Sequence, residues 1–226
     1  MSARARRIAA EPAFALPDLT AFDGTQLEPR HEYDAVDFVE LDLGGQDAGD
    51  ARILESRLDR CAVDGLSLRR ARILRSLIAD AHGATIDLAD STWRDSVVAG
   101  GRLGAVQLPG ATLTTVRFRG TKLDYLNLSG AQLDDVAFEG CELGDIDARG
   151  ATLRSVRFAD CSINELNVTE ARLSTVDLSG ARLRSLIGID NLRGTIINRG
   201  QLLDLAPQLA AQLGIDVRPD PPDSDR

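Results

Sequence analysis

The sequence predicts an all-β solenoid of square cross-section with a C-terminal capping helix, and three observations carry the prediction. An apolar residue returns at every fifth position in one unbroken phase from Val36 to Asp190. Residue types return at every twentieth. Beyond that span the phase gives way to leucines at helical spacing, Leu202, Leu205, Leu209 and Leu213.

A period of five belongs to neither regular structure. On an α-helix five residues turn the chain by about 500°, so successive apolar residues fall about 140° apart and no apolar face forms. On a straight strand the central apolar residue and the one two before it share a face, but the next lies three further on and points outward. A corner once in every five residues resolves the conflict. The two residues after each centre should make it, and glycine collects there, at Gly100, Gly110, Gly120, Gly130, Gly140, Gly150 and Gly180.

The twenty-residue recurrence says how many corners close a coil. Phe118, Phe138 and Phe158 form one column and Val116, Val136, Val156 and Val176 another. A third runs Leu66, Ile86, Val106, Leu126, Ile146, Leu166, Leu186, and a fourth, of small residues, runs Ala51, Ala71, Ser91, Ala111, Ala131, Ala151, Ala171. Four fives therefore make a square, with bulky residues before the centre on two opposite walls and small ones on the other two. The 31 fives from Val36 to Asp190 make just under eight coils, a rod about 37 Å tall at the ~4.8 Å strand spacing. Gly83 should leave a gap that Trp93 crosses the lumen to fill, and Ala148 should face the bulk of Phe138 and Phe158.

Residues 1–35 form an N-terminal arm, partly disordered or capping the first coil. Residues 36–190 form the solenoid, 191–215 a final strand and the capping helix, and 216–226 a disordered tail. A solenoid end exposes unpaired strand edges that need cover. The four leucines are read as that cap or as a dimer seam; Pro207 should kink or split the helix, and Gly214 should end it.

The fives AQLDD, CELGD, VDLSG and ARLRS resemble those of the pentapeptide-repeat proteins, over about two thirds of the chain. The resemblance implies a right-handed quadrilateral β-helix and says little about activity, since the best-known members bind protein partners and do not turn over substrates. It also implies a second reading. The gyrase-inhibiting members resemble a rod of B-DNA and present acidic surface to the enzyme's DNA site, and a C-terminal element joins two of their rods.

The chain offers little for catalysis. Its two histidines, His31 and His82, have no nucleophile at a motif spacing. Cys61, Cys141 and Cys161 are in no metal-ligand spacing and are expected as reduced core thiols. Asn127, Asp147 and Asn167 form an outward polar ladder, or less simply a cation site. No catalytic residue, cofactor or metal ligand is assigned. Net charge is −9, which argues against direct nucleic-acid binding, and no apolar run is long enough for a membrane helix or an export signal. The expected setting is the cytoplasm.

Carboxylates are the remaining candidate contact surface. Between Val36 and Asp190 there are 24 acidic and 18 basic residues, and register pairs Arg119 with Glu139, Lys122 with Glu142 and Asp134 with Arg154. Two stretches look less compensated: Asp134, Asp135, Glu139, Glu142, Asp145 and Asp147, and the eleven acids from Glu11 to Asp50 against one base, Arg30. The sequence thus points to a non-enzymatic scaffold for an unidentified protein partner. The alternative is a DNA mimic that binds a type II topoisomerase such as DNA gyrase, as a monomer or as a homodimer through the C-terminal helix.

Overall fold

The computed structural model describes residues 14–217. Part of the expected arm (1–13) and of the expected tail (218–226) lie outside the described residues. Among those described, twenty strands form one continuous parallel sheet wound into square coils, about nine turns in all.

Stacking is in register at twenty residues: Val116 sits over Val136, Phe118 over Phe138, Leu126 over Ile146. The coil is entered before Val36, since Glu32–Asp34 pairs with Arg52–Leu54 and Thr20–Ala21 with Val36–Asp37. It is left through a short 3-10 turn at Ile189–Asn191, after which Thr195–Ile196 pairs with Val176–Asp177.

The corners fall where the phase puts them. From Ala35 onward every non-glycine residue with positive φ among those described is the second after a centre, including Thr115 (φ 55°), Asp135 (φ 53°) and Ser155 (φ 51°). A side chain in this left-handed region costs about 1–2 kcal/mol, and hydrogen bonds to the next coil hold it there. The neighbouring corner column shows the alternative at Gly110 and Gly130, where φ is 67° and 65° and no Cβ is present to be strained. Gly180 departs from the expected corner set. The strand Val176–Ile187 runs straight through it, and Ala159 pairs with Gly180 in a local bulge before the register recovers at Cys161 and Ala181.

The lumen is apolar and column-built. The Phe138 ring is sandwiched between Phe118 at 4.7 Å and Phe158 at 4.8 Å, nearly parallel to both. Ala148, opposite this stack, is fully buried. Trp93 is buried and donates from Nε1 to Ser91 Oγ at 2.9 Å, yet it fills the lumen only in part: an apolar cavity of about 40 Å³ remains beside it, lined by Val63, Ile78 and Leu103 among others. Gly83 has a further reason to lack a side chain, because a Cβ there would lie 2.8 Å from the Asp64 nitrogen of the coil below.

Two ladders of small polar residues run inside the walls. Ser56, Ser76 and Ser96 are buried on the phenylalanine wall, each donating its hydroxyl to the carbonyl two residues before it, while Ser76 and Ser96 accept the backbone N–H of Ser56 and Ser76. The cysteines of the next wall repeat the geometry, with Cys141 Sγ 3.5 Å from the Phe118 carbonyl and Cys161 Sγ 3.3 Å from that of Phe138. Contact with the Cys161 thiol, together with burial, pushes the Cys141 thiol up, and burial pushes up that of Cys61. All three thiols are buried and are therefore expected to ignore a thiol-titrating reagent at about pH 8 in the native protein and to react fully in ~6 M guanidinium. Fast labelling of the native protein would show that the walls open.

Both ends are closed. Phe22 packs on Phe38 at 4.9 Å and Tyr33 on Phe38 at 5.5 Å, forming an aromatic plug under the first coil. At the other end one α-helix, Arg199–Gln212, lies across the last coil. Asn198 and Gln201 form a reciprocal capping box, and the buried Gln201 side chain donates to the carbonyls of Leu178 and Ala181. Pro207 does not split this helix. The carbonyl it leaves without a helical partner belongs to Leu203, which is exposed and open to water. Gly214 (φ 69°) follows the C-cap, with the Ile215 N–H reaching the Ala210 carbonyl in a Schellman closure.

Candidate protein-binding surface

Three residues of each five point outward: the one before the centre and the two after it. Stacked at twenty, they make straight columns on four flat walls, and in several columns opposite charges meet from one coil to the next. Arg52 meets Glu32 at 3.1 Å, Arg57 meets Asp37 at 2.5 Å, Arg60 meets Glu40 at 2.9 Å and Arg70 meets Asp50 at 2.7 Å, each pair one coil apart. The Arg70 hydrogen bond holds the Asp50 carboxyl below the usual carboxylate range. Exposed pairs of this kind add little stability, but they cancel the field of much of the acidic N-terminal stretch. Two further members, Asp42 and Asp47, stay exposed and accept the N–H groups of Gly44 and Gly49 two residues on.

The six carboxylates from Asp134 to Asp147 do not form one patch. Five residues turn the chain by a wall, so Asp134 and Asp135 lie at one corner, Glu139 and Glu142 on either side of the next, Asp145 at the third, and Asp147 on the wall beyond. Most are also compensated. Asp135 meets Arg117 at 2.9 Å, Glu139 meets Arg119 at 3.0 Å and Arg157 at 3.0 Å, and Glu142 meets Lys122 at 2.9 Å. Asp147, largely buried, meets Arg149 at 2.6 Å, and that hydrogen bond lowers its pKa. Asp145 accepts from Asn164 at 2.7 Å. Asp134 and Arg154 are register neighbours with no salt bridge between them among the described residues.

The polar column is a ladder of turns. Asn127 and Asn167 each accept from the N–H and hydroxyl of the residue two further on, and Asn127 donates to Gln107 at 2.8 Å. Among the described residues no cluster of His, Cys, Asp or Glu could hold a metal ion, and no helix is long and apolar enough to cross a membrane.

The four helix leucines divide. Leu205 is buried and Leu209 packs partly on the core, as a cap requires, whereas Leu202 is 48% and Leu213 75% exposed. Leu203, Ile215 and Val217 extend this exposed apolar surface.

Comparison with known proteins bears on the repeat itself. Residues 100–168 match the pentapeptide repeat region. No curated protein matches the sequence. Among solved structures, HetL, a pentapeptide repeat protein involved in heterocyst differentiation regulation from the cyanobacterium Nostoc sp. strain PCC 7120, is 19% identical, with 76% of this chain and 91% of that one covered and a TM-score of 0.37. A trypsin-treated form of QnrB1, a plasmid-mediated fluoroquinolone resistance protein, is 17% identical, with 83% and 99% covered and a TM-score of 0.38. Residues 100–168 thus carry a pentapeptide repeat region, and the same frame of fives and the same square parallel coil continue on both sides of it.

Proposed function

We propose that the chain is a non-enzymatic, cytoplasmic scaffold whose rigid walls bind a protein partner. The observation that carries this reading is the pairing of outward charge from coil to coil, which leaves walls of mixed sign on a rod of fixed shape. Such walls suit short-range contacts of shape and mixed polarity, which salt weakens little. The exposed leucines and isoleucine of the C-terminal end would join two copies end to end.

A DNA mimic of a type II topoisomerase substrate is the second reading, supported by the net charge of −9. A polyanion binds with steep salt dependence, because screening acts on every uncompensated charge. The test is recovery of partners by the tagged protein from its own cell lysate at ~50 mM and ~500 mM salt. A stoichiometric partner kept at both is the expected result. A topoisomerase held only at low salt would replace the scaffold reading by the mimic, and recovery of nothing would remove both.

A further inference from the structure

An outward position on a solenoid wall is normally polar, yet the column before the centre on the phenylalanine wall reads Asp37, Arg57, Leu77, Val97, Arg117. Val97 is only 2% exposed, although its Cβ points away from the lumen. Beside it, the outward Ala99 of the same wall is buried and Ala79 half-buried. Phe14 stands against this strip: it lines one surface depression with Arg75, Asp95, Val97, Thr115 and Arg117.

The path of the arm agrees. Ala21 pairs with Asp37, Asp37 with Arg57, Arg57 with Leu77 and Leu77 with Val97, four strand spacings in all, or about 19 Å. Seven residues from Phe14 to Ala21 reach at most about 24 Å. The arm therefore runs nearly fully extended along the rod axis, across the strands. Phe14, Leu16 and Leu19 are half-buried along it while Ala15, Pro17 and Asp18 are exposed. Among the described residues, no backbone hydrogen bond ties 14–19 to the wall; the first are those of Thr20 and Phe22. Side chains alone hold it.

We infer that this strip is a peptide-docking site for an extended segment with the spacing Phe-x-Leu-Pro-x-Leu, occupied in cis by residues 14–19 and yielded to a partner segment of the same chemistry. Arg57 and Arg117, bound to Asp37 and Asp135, bound the strip at its two ends and limit the apolar contact to two coils. A tethered arm acts at an effective concentration of about millimolar, so a partner must exceed that to displace it. The inference deepens the scaffold reading by naming one of its surfaces. Its test uses purified protein only, so either can fail without the other.

The experiment titrates a fluorescent peptide, FALPDLTA, into the full chain and into a Phe14→Asp/Leu16→Asp variant whose arm no longer docks. Anisotropy is expected to saturate for the variant below about 1 mM peptide and at least about 10-fold more weakly for the parent. Adding Val97→Asp should abolish binding with an unchanged far-ultraviolet spectrum, since this column already carries Asp37 and Asp177. No binding by the released variant up to about 1 mM, or equal binding with Val97→Asp, overturns the site. A parent dimer that the arm substitutions dissociate would assign the arm to a second copy and overturn occupancy in cis.

Discussion

Phe138→Ala is expected to destabilise the rod by about 3–5 kcal/mol. The ring is fully buried between two others at 4.7 and 4.8 Å, so its removal forfeits burial and two ring contacts worth about 0.5–1.5 kcal/mol each. Collapse into the hole is hindered. Phe118 and Phe158 are held at their own coil heights by the sheet register, and the residue across the lumen is Ala148, which has no bulk to move inward. The check is the shift in urea midpoint followed by far-ultraviolet circular dichroism, with midpoints compared because stacked repeats need not unfold in one step. A loss under about 1 kcal/mol would mean the phenylalanine column is not the packed core.

Gln201→Ala should loosen the C-terminal end by about 2–4 kcal/mol, combining a lost cap with two buried carbonyls left unsatisfied. One side chain performs three tasks: its Nε2 donates to Leu178 and Ala181 at 2.7 and 2.9 Å, and its Oε1 accepts the Asn198 N–H at 2.8 Å. The loss is local, so hydrogen exchange should rise along Val176–Ile187 while the middle coils keep their protection. Removing residues 200–226 altogether should bare the last edge and give end-to-end aggregation, seen by light scattering. A truncated protein that stays monomeric would take the capping role from the helix.

The coil was legible because the lumen repeats its demands every twenty residues, and each demand selects for size. Corners were legible from phase more than from residue type: Thr115, Asp135 and Ser155 turn the chain as Gly110 and Gly130 do, since the sheet on both sides imposes the left-handed conformation. The buried serines at 56, 76 and 96 carried the same spacing signal, but their hydrogen bonds to backbone depend on a groove that exists only once coils stack. Asn198 and Gln201 had the spacing of a capping box, overshadowed by the leucines around them. Linear neighbourhood misled in the acidic stretch, where a quarter turn every five residues carries adjacent carboxylates onto different walls. Leu77 and Val97, apolar at outward positions of consecutive coils, marked the strip on which the arm docks.

The constant offset of twenty residues between paired strands also bears on how the chain folds. Most sheets join segments distant in sequence, and their folding slows accordingly. Here a typical pairing spans 20 of 226 residues, a relative contact order of at most about 0.09, in the range of helical bundles and below that of most all-β domains. Each new coil needs only the one before it as a template, so the rod can lengthen as the chain leaves the ribosome, one square at a time. The N-terminal aromatic plug then serves as the seed, and the C-terminal helix as the signal to stop.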